Sequence, residues 1–409
     1  MIFYVIFALL MMFFSKTRVA SLFVILFCFS LLSGLLVGVN FGFDSGDSIE
    51  VLFICLMLAP FYLTLNLFKG RGLSRTFIRK KTHSVYWFVA LISAIFLFIN
   101  LYVLYKSIGY YFSIGVTVGE YNNSGGAESF LTERVSPVLF GLISAASPLA
   151  YVSLGAHFIF LVRGEKLKAA VAFIGSLSIV VFSLLELARS GVVLYILIYF
   201  GLLLYVYDVL PFNQRASLIK IVSFFFLCLF SILIWVSFSR FDVYVYQGAG
   251  FISNPALYSI FHYLSQWLVN GVEIIKVFSV ENIMFGSNFS YIPNRVLSAF
   301  GGEPADILAR RLNAYGMYAT KFNGMPAILL YDFGFLGALL YSWIFYALSY
   351  LIIKGSRRLE FKVFAFLMIF PMIAMFFQGV VYISGYLNVA IIYMMLVYLV
   401  SRIRVRIWN

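Results

Sequence analysis

Eleven apolar stretches run along this chain, and a polar interval at residues 240–325 separates the eighth stretch from the ninth. A membrane-spanning helix needs about 20 predominantly apolar residues. Hydrophobic residues make up 63% of the chain and charged residues only 11%, which excludes an ordinary soluble domain. Alternating strand patterns are absent, which disfavours a β-barrel. We therefore predict an all-α polytopic integral membrane protein with about 11 transmembrane helices, at 1–14, 19–39, 51–67, 84–105, 137–161, 169–187, 191–207, 219–238, 326–353, 363–381 and 384–400.

The charged residues predict the orientation of these helices. Alternate loops carry 20 of the 29 basic residues but only three of the 16 acidic ones. Cytoplasmic loops of membrane proteins are enriched in lysine and arginine. The N-terminus and the 240–325 interval are therefore predicted to be extracytoplasmic, and the C-terminus cytoplasmic. The net charge of +13 is accounted for by this orientation, so no nucleic-acid partner is predicted.

The same pattern divides the chain into three segments. Residues 1–239 form an N-terminal bundle of about eight spans, residues 240–325 form a large extracytoplasmic loop, and residues 326–409 add about three spans. Within the loop, apolar residues from Ala256 to Leu268 recur at helical spacing, which predicts an amphipathic helix at the headgroups or against the bundle. Pro304 and Gly316 frame a second predicted helix. The loop is thus predicted to be a helical cap on the outer end of the bundle.

Arg189 lies between two predicted spans that have almost no loop between them. An arginine at membrane depth costs about 2.5–3.5 kcal/mol on insertion scales, so it normally has a partner or a function. One interpretation is an arginine that extends toward the interface, with Glu186 one turn away. The other is an anion clamp, because guanidinium groups bind phosphate oxygens in a bidentate manner.

Four further arginines fall on the predicted outer side, at Arg240, Arg295, Arg310 and Arg311. Arg240 ends the eighth span, where an interfacial anchor is the ordinary role. Adjacent Arg310 and Arg311 point about 100° apart on a helix, so a solvated helix face is their ordinary role. Basic residues on an otherwise acidic outer face also form the pattern that a lipid diphosphate would require.

Three residues are candidates for acid–base chemistry. Asp332 lies several residues into the ninth span, where a carboxylate is either paired with an arginine or held neutral. A structural Asp–Arg bridge and a general base are both open interpretations. His262 is the one histidine on the predicted outer side, and Glu273 follows it on the same amphipathic helix.

The aromatic residues Tyr258, Trp267 and Tyr315 could stack on sugar rings, although an interfacial aromatic belt has the same composition. Three dispersed histidines form neither an H-E-x-x-H motif nor a two-histidine pair, and no Asp-x-Asp occurs in the outer loops. The three cysteines all lie within predicted spans. No metal, cofactor or disulfide is therefore predicted.

Two short segments carry a resemblance to a known family. Residues 318–324 read YATKFNG and residues 331–337 read YDFGFLG. Together with the Arg189-Ser190-Gly191 hairpin and the large loop before the last three spans, they resemble Wzy-type O-antigen polymerases. The resemblance is mostly of architecture and covers nearly the whole chain.

The resemblance implies a GT-C-like bundle that acts at the outer face of the bacterial inner membrane. Its substrate would be an oligosaccharide repeat on undecaprenyl pyrophosphate, and the growing glycan would be transferred to an incoming lipid-linked repeat without a metal. The arginines would bind the pyrophosphate, and a carboxylate or His262 would accept the proton of the acceptor hydroxyl. A flippase and a chain-length regulator of the same pathway are implied partners.

Two other functions remain open at this point. An O-antigen ligase is a related enzyme that transfers the finished chain to the lipid A core. A lipid-linked oligosaccharide flippase or other transporter would carry charges along the spans that line its cavity. In this chain the charges lie near the outer ends of the spans, which favours an enzyme over a transporter.

Overall fold

The computed structural model describes residues 2–37, 48–70, 83–114, 136–185, 189–212, 215, 218–220, 222–224, 227–228, 231, 252, 254–280, 283, 324–355, 358–374, 376–377 and 385–400. These residues are mostly helical, and the described ranges contain no β-strand. Within these described ranges, seven helices are long and apolar enough to cross a membrane. The prediction of an all-α, multi-pass membrane protein is confirmed in this form. The count of about eleven spans and the GT-C-like cap stay predictions.

In chain order the helices are α1 (Ile2–Phe14), α2 (Arg18–Leu36), α3 (Ser48–Leu65), α4 (His83–Ile114), α5 (Pro137–Ala146), α6 (Leu149–Arg163), α7 (Lys166–Ser176), α8 (Ser178–Leu185), α9 (Arg189–Val206), α10 (Pro255–Lys276), α11 (Met325–Gly355), α12 (Leu359–Ile369), α13 (Pro371–Ala374) and α14 (Gly385–Val400). The predicted span at 137–161 is divided into α5 and α6 at Pro148, which has no backbone N–H to donate. The amphipathic helix predicted at 256–268 is confirmed as α10.

The helices assemble into two compact units. Unit 1 comprises Met1–Lys69, Val243–Gly355 and Ile369–Asn388, and unit 2 comprises Gly70–Asp242, Ser356–Met368 and Val389–Asn409. Each unit contains three separate parts of the chain. The boundaries of the two units therefore differ from those of the segments predicted from the sequence, 1–239, 240–325 and 326–409. That division describes topology and stays a prediction.

In unit 1, α1 and α3 run side by side in the same direction. The Cys55 thiol donates to the Phe3 carbonyl over 3.9 Å. About two helical turns further along both helices, the Tyr62 hydroxyl donates to the Met11 carbonyl. Helix α2 runs the opposite way, because the Thr17 hydroxyl at its start donates to the carbonyl of Leu65 at the end of α3 over 3.0 Å. The Thr17 side chain also accepts from the Ala20 N–H and so caps α2.

Helix α11 is interrupted at Gly334, whose φ of 68° and ψ of 177° are not helical. After the interruption the helix follows α3, since Phe335 contacts Phe53 and Phe345 contacts Phe61 at centroid distances of 5.1 and 4.9 Å. Residues 335–355 alone form a helix about 31 Å long, which matches a hydrocarbon core of about 30 Å. The predicted span at 326–353 therefore contains a short helical segment, 325–333, followed by a helix that is by itself long enough to cross the membrane.

In unit 2, His157 joins three helices by hydrogen bonds. Its Nδ1 lies 2.8 Å from the Ala169 carbonyl and its Nε2 lies 3.1 Å from the Tyr199 hydroxyl. Because a carbonyl only accepts, Nδ1 carries the proton and the Tyr199 hydroxyl donates to Nε2. This buried histidine therefore links α6 to α7 and α9.

Gly175 permits close contact between α7 and α4 in the same unit. A Cβ at this position would lie 2.7 Å from the Ala90 carbonyl oxygen and 2.9 Å from Ser153 Oγ. Membrane helices approach closely through such small residues.

We expect Gly175→Leu to destabilise the protein by about 1–3 kcal/mol, measured as a lower melting temperature in detergent. Gly141→Leu is the control, since its Cβ would meet nothing within 4 Å; equal melting of both variants would contradict the assignment.

Candidate functional site at the break in α11

Asp332 is fully buried and lies in the short segment of α11, two residues before Gly334. The sequence predicts that it lies several residues into the ninth span, and its depth in the membrane stays a prediction. The uninterrupted helix at 335–355 begins only after the break. Asp332 therefore lies near the level of Phe53 in the second turn of α3, the helix end that is predicted to be extracytoplasmic.

The break itself requires a glycine. The backbone conformation of Gly334 lies in a region that other residues almost never adopt. Ile283 covers this position, with its Cδ1 atom 3.2 Å from where a Cβ would be. A position that only glycine occupies without strain therefore lies two residues after the buried carboxylate of Asp332.

Two aromatic residues frame Asp332 on its own helix. Tyr341 follows Asp332 by nine residues on the same helix. The Tyr341 ring is stacked on Phe333, with centroids 5.1 Å apart and planes 7° apart. Tyr341 therefore bridges the break by contacting residues on both sides of Gly334.

The C-terminal end of α10 and the residues just after it pack against the same region. Phe278 contacts Tyr331 before the break and Phe335 after it, at centroid distances of 5.4 and 5.3 Å. Ile274 packs with Ala327 and Tyr331 in one buried cluster. The short segment of α11 therefore packs against α10, whereas the helix at 335–355 packs against α3.

Glu273 lies at this end of α10, next to Ile274. Its carboxylate is about half exposed and forms an ion pair of 3.1 Å with Lys276. An ion pair in this setting contributes little to stability. Glu273 is thus accessible at the end of α10 where Ile274 packs against the short segment of α11.

His262 and Tyr258 lie toward the other end of α10. Their rings are stacked, with centroids 5.8 Å apart and planes 14° apart, and both residues are partly buried. Eleven residues separate His262 from Glu273, which is about 16 Å along a helix. The two side chains cannot act on the same proton, so the structure separates these two candidate bases.

Trp267 lies in the core of unit 1. Its ring has no exposed surface, and it packs against Tyr4, Phe27 and Phe376. Its indole N–H donates to Ser30 Oγ over 2.6 Å. A sugar could stack on this ring only if α10 moved away from α2.

Glu50 was not among the predicted site residues. It lies in the first turn of α3, and its Oε2 atom is buried without a hydrogen-bond partner in the part of the chain that the structure describes. A carboxylate there also interacts favourably with the helix dipole. Phe53, one turn later, contacts Phe335, so Glu50 and Asp332 lie at a similar level of unit 1.

Comparison with protein-family models, curated proteins and solved structures finds no match to this chain. The function must therefore be argued from the residues and from the resemblance in segments 318–324 and 331–337.

The side chains of the predicted diphosphate-binding residues lie outside the part of the chain that the structure describes. Arg189 begins α9, and its side chain is not among those described. The remaining predicted site residues, Arg240, Arg295, Arg310, Arg311 and Tyr315, lie outside the described residues, as does the predicted helix between Pro304 and Gly316.

Within the described ranges, no three histidine, cysteine, aspartate or glutamate residues are arranged to hold a metal ion. The prediction that the chain uses no metal or cofactor stays a prediction. The chemistry that the described site offers is that of carboxylates in apolar surroundings, which can accept a proton or bind a hydroxyl.

Proposed function

We propose that this chain polymerises lipid-linked oligosaccharide repeats of an O-antigen or a related surface polysaccharide at the outer face of the bacterial inner membrane. The observation that supports this most is the position of Asp332. A fully buried carboxylate beside a glycine-only break belongs to the very segment, 331–337, that resembles the polymerases. Carboxylates within apolar segments are rare and commonly functional.

The proposed reaction moves one glycan between two lipid carriers. The hydroxyl of the terminal sugar on the incoming repeat attacks the anomeric carbon of the growing chain. A new C–O bond forms, and the bond to undecaprenyl pyrophosphate breaks, so that the leaving diphosphate takes the electron pair. Asp332 accepts the proton of the attacking hydroxyl, a role in which a positioned base contributes about 10²–10⁴-fold to the rate.

Other residues have assigned roles in this proposal. Arg189, with Arg240, Arg295, Arg310 or Arg311, stabilises the negative charge that develops on the departing diphosphate. The stacked pair of Tyr258 and His262 offers an aromatic surface to a sugar, about 16 Å from Glu273 along α10. Tyr315 offers a further aromatic surface on which a sugar ring can stack.

The proposal includes an orientation and partners. The N-terminus and the large loop face outward, the C-terminus faces the cytoplasm, and the helices 255–276 and 304–316 belong to a cap on a GT-C-like bundle. A flippase supplies the lipid-linked repeat and a regulator sets the chain length. A ligase would break the same bond but deliver the glycan to a different acceptor.

A lipopolysaccharide gel of the source bacterium tests this function. Deletion of the gene is expected to replace the ladder by a single band of core plus one repeat, and the wild-type gene is expected to restore the ladder. Arg189→Ala is expected to fail to restore it at normal expression, whereas Lys106→Ala, which removes another basic residue from the predicted outer side, restores it. Loss of every attached repeat would indicate a ligase or flippase, and an unchanged ladder would contradict the proposal.

A further inference from the structure

An apolar groove lies between α1 and α3 in unit 1, with a volume of about 310 Å³. It extends from Phe3 to Phe14 on α1 and from Leu52 to Leu63 on α3. Eleven residues on each helix correspond to a length of about 16 Å. The groove is therefore long and narrow, with the dimensions of a linear chain.

The groove has a closed floor and an open rim. Met11, Cys55 and Tyr62 form the floor and are buried, whereas Ile6, Leu10 and Leu56 form the rim and are about half exposed. The polar atoms of the floor are already engaged, since Tyr62 donates to Met11 and Cys55 to Phe3. An occupant therefore meets only apolar surface.

One end of the groove lies at the level of the candidate site. Leu52 adjoins Phe53, whose ring contacts Phe335 just after the break in α11. Glu50, with its buried carboxylate oxygen, lies two residues before Leu52. Because α1 and α3 run in the same direction, the groove leads from this level along both helices toward the opposite end of unit 1.

We propose that this groove binds the polyisoprenyl tail of the lipid-linked substrate. The inference rests on the proposed function, which requires a lipid whose sugar-bearing head lies near Asp332 while its tail remains in the bilayer. A groove that is apolar throughout and starts at that level holds the tail in register with the site. A phospholipid tail would meet the same apolar surface, but its head carries no sugar to place near Asp332.

Photo-crosslinking of the full chain in nanodiscs of phosphatidylethanolamine and phosphatidylglycerol tests this site. The probe is a polyprenyl phosphate that carries a diazirine on its tail, and labelled peptides are located by mass spectrometry. We expect labelling of α1 and α3 peptides that line the groove, competed by unlabelled polyprenyl phosphate but not by added phospholipid.

A tryptophan inside the groove supplies the matched variant. Ala59→Trp places a large ring in the lining, whereas Leu9→Trp places the same ring on an exposed part of α1 outside the lining. Displacing two methylene groups of the tail is expected to reduce labelling about tenfold in Ala59→Trp. Leu9→Trp is expected to label like the wild type.

The outcomes separate this inference from the proposed function. Equal competition by phospholipid, labelling away from the lining, or no labelling because a second copy of the chain covers the groove would each overturn the tail site. The tail site fails alone if labelling is nonspecific while gene deletion still abolishes the ladder. Specific labelling with an unchanged ladder would support the groove and overturn polymerisation.

Discussion

An Asp332→Asn variant is expected to lose polymerising activity by roughly 10²–10⁴-fold, because an amide cannot accept the proton of the attacking hydroxyl. Asparagine has nearly the same shape as aspartate, so the packing around this fully buried side chain should be preserved. The measurement is the rate of ladder formation with purified protein and lipid-linked repeats. Its complement is the ladder restored in a deletion strain at matched expression.

Glu273→Gln is the control for this prediction. It neutralises a second carboxylate in unit 1, but one that is about half exposed and already paired with Lys276. We expect near-normal activity from it, since exposed ion pairs contribute little. If Asp332→Asn retained full activity with unchanged melting, Asp332 would not be the base. If Glu273→Gln alone were inactive, the role would belong to Glu273.

Gly334→Ala is expected to destabilise unit 1 and to inactivate the site. The φ of 68° and ψ of 177° cost other residues about 1–3 kcal/mol. The added methyl group would also lie 3.2 Å from Ile283 Cδ1. If the alanine variant instead formed a continuous helix through position 334, Asp332 would be rotated relative to the helix at 335–355. The measurements are the melting temperature in detergent and the same ladder assay.

Gly355→Ala tests whether this effect belongs to the break. Gly355 ends the same helix, and a Cβ there would meet nothing within 4 Å. This variant should melt and polymerise like the wild type. A Gly334→Ala protein with unchanged stability and activity would show that the interruption of α11 is dispensable.

Hydropathy predicted most helices of the fold but not the interruption of α11. The apolar run at 51–67 gives α3 within a few residues, because transfer of apolar surface from water determines such segments. The run at 326–353 is apolar on both sides of Gly334, with Asp332 as its one charged residue. The break depends on a backbone conformation and on the packing of Ile283, neither of which changes the average hydropathy.

The site was predicted only in part for similar reasons. Asp332 stands out because it is a carboxylate within an apolar run. Glu50 does not, since a charged residue at the start of a span reads as part of the preceding loop. Helical spacing predicted α10, yet spacing alone could not show that Trp267 faces the core and not a sugar. That distinction depends on α2, more than 200 residues away in sequence.

The contacts of Trp267 limit how far α10 can move relative to α2. The Ser30 hydroxyl accepts from the indole and donates to the Leu264 carbonyl, so one side chain of α2 holds α10 at two points. Extracting a buried tryptophan is comparable to deleting it from a core, which costs about 3–5 kcal/mol. Helix α10 therefore acts as a fixed wall and not as a swinging lid. The proposed polymerase would therefore have to admit its glycans without moving α10.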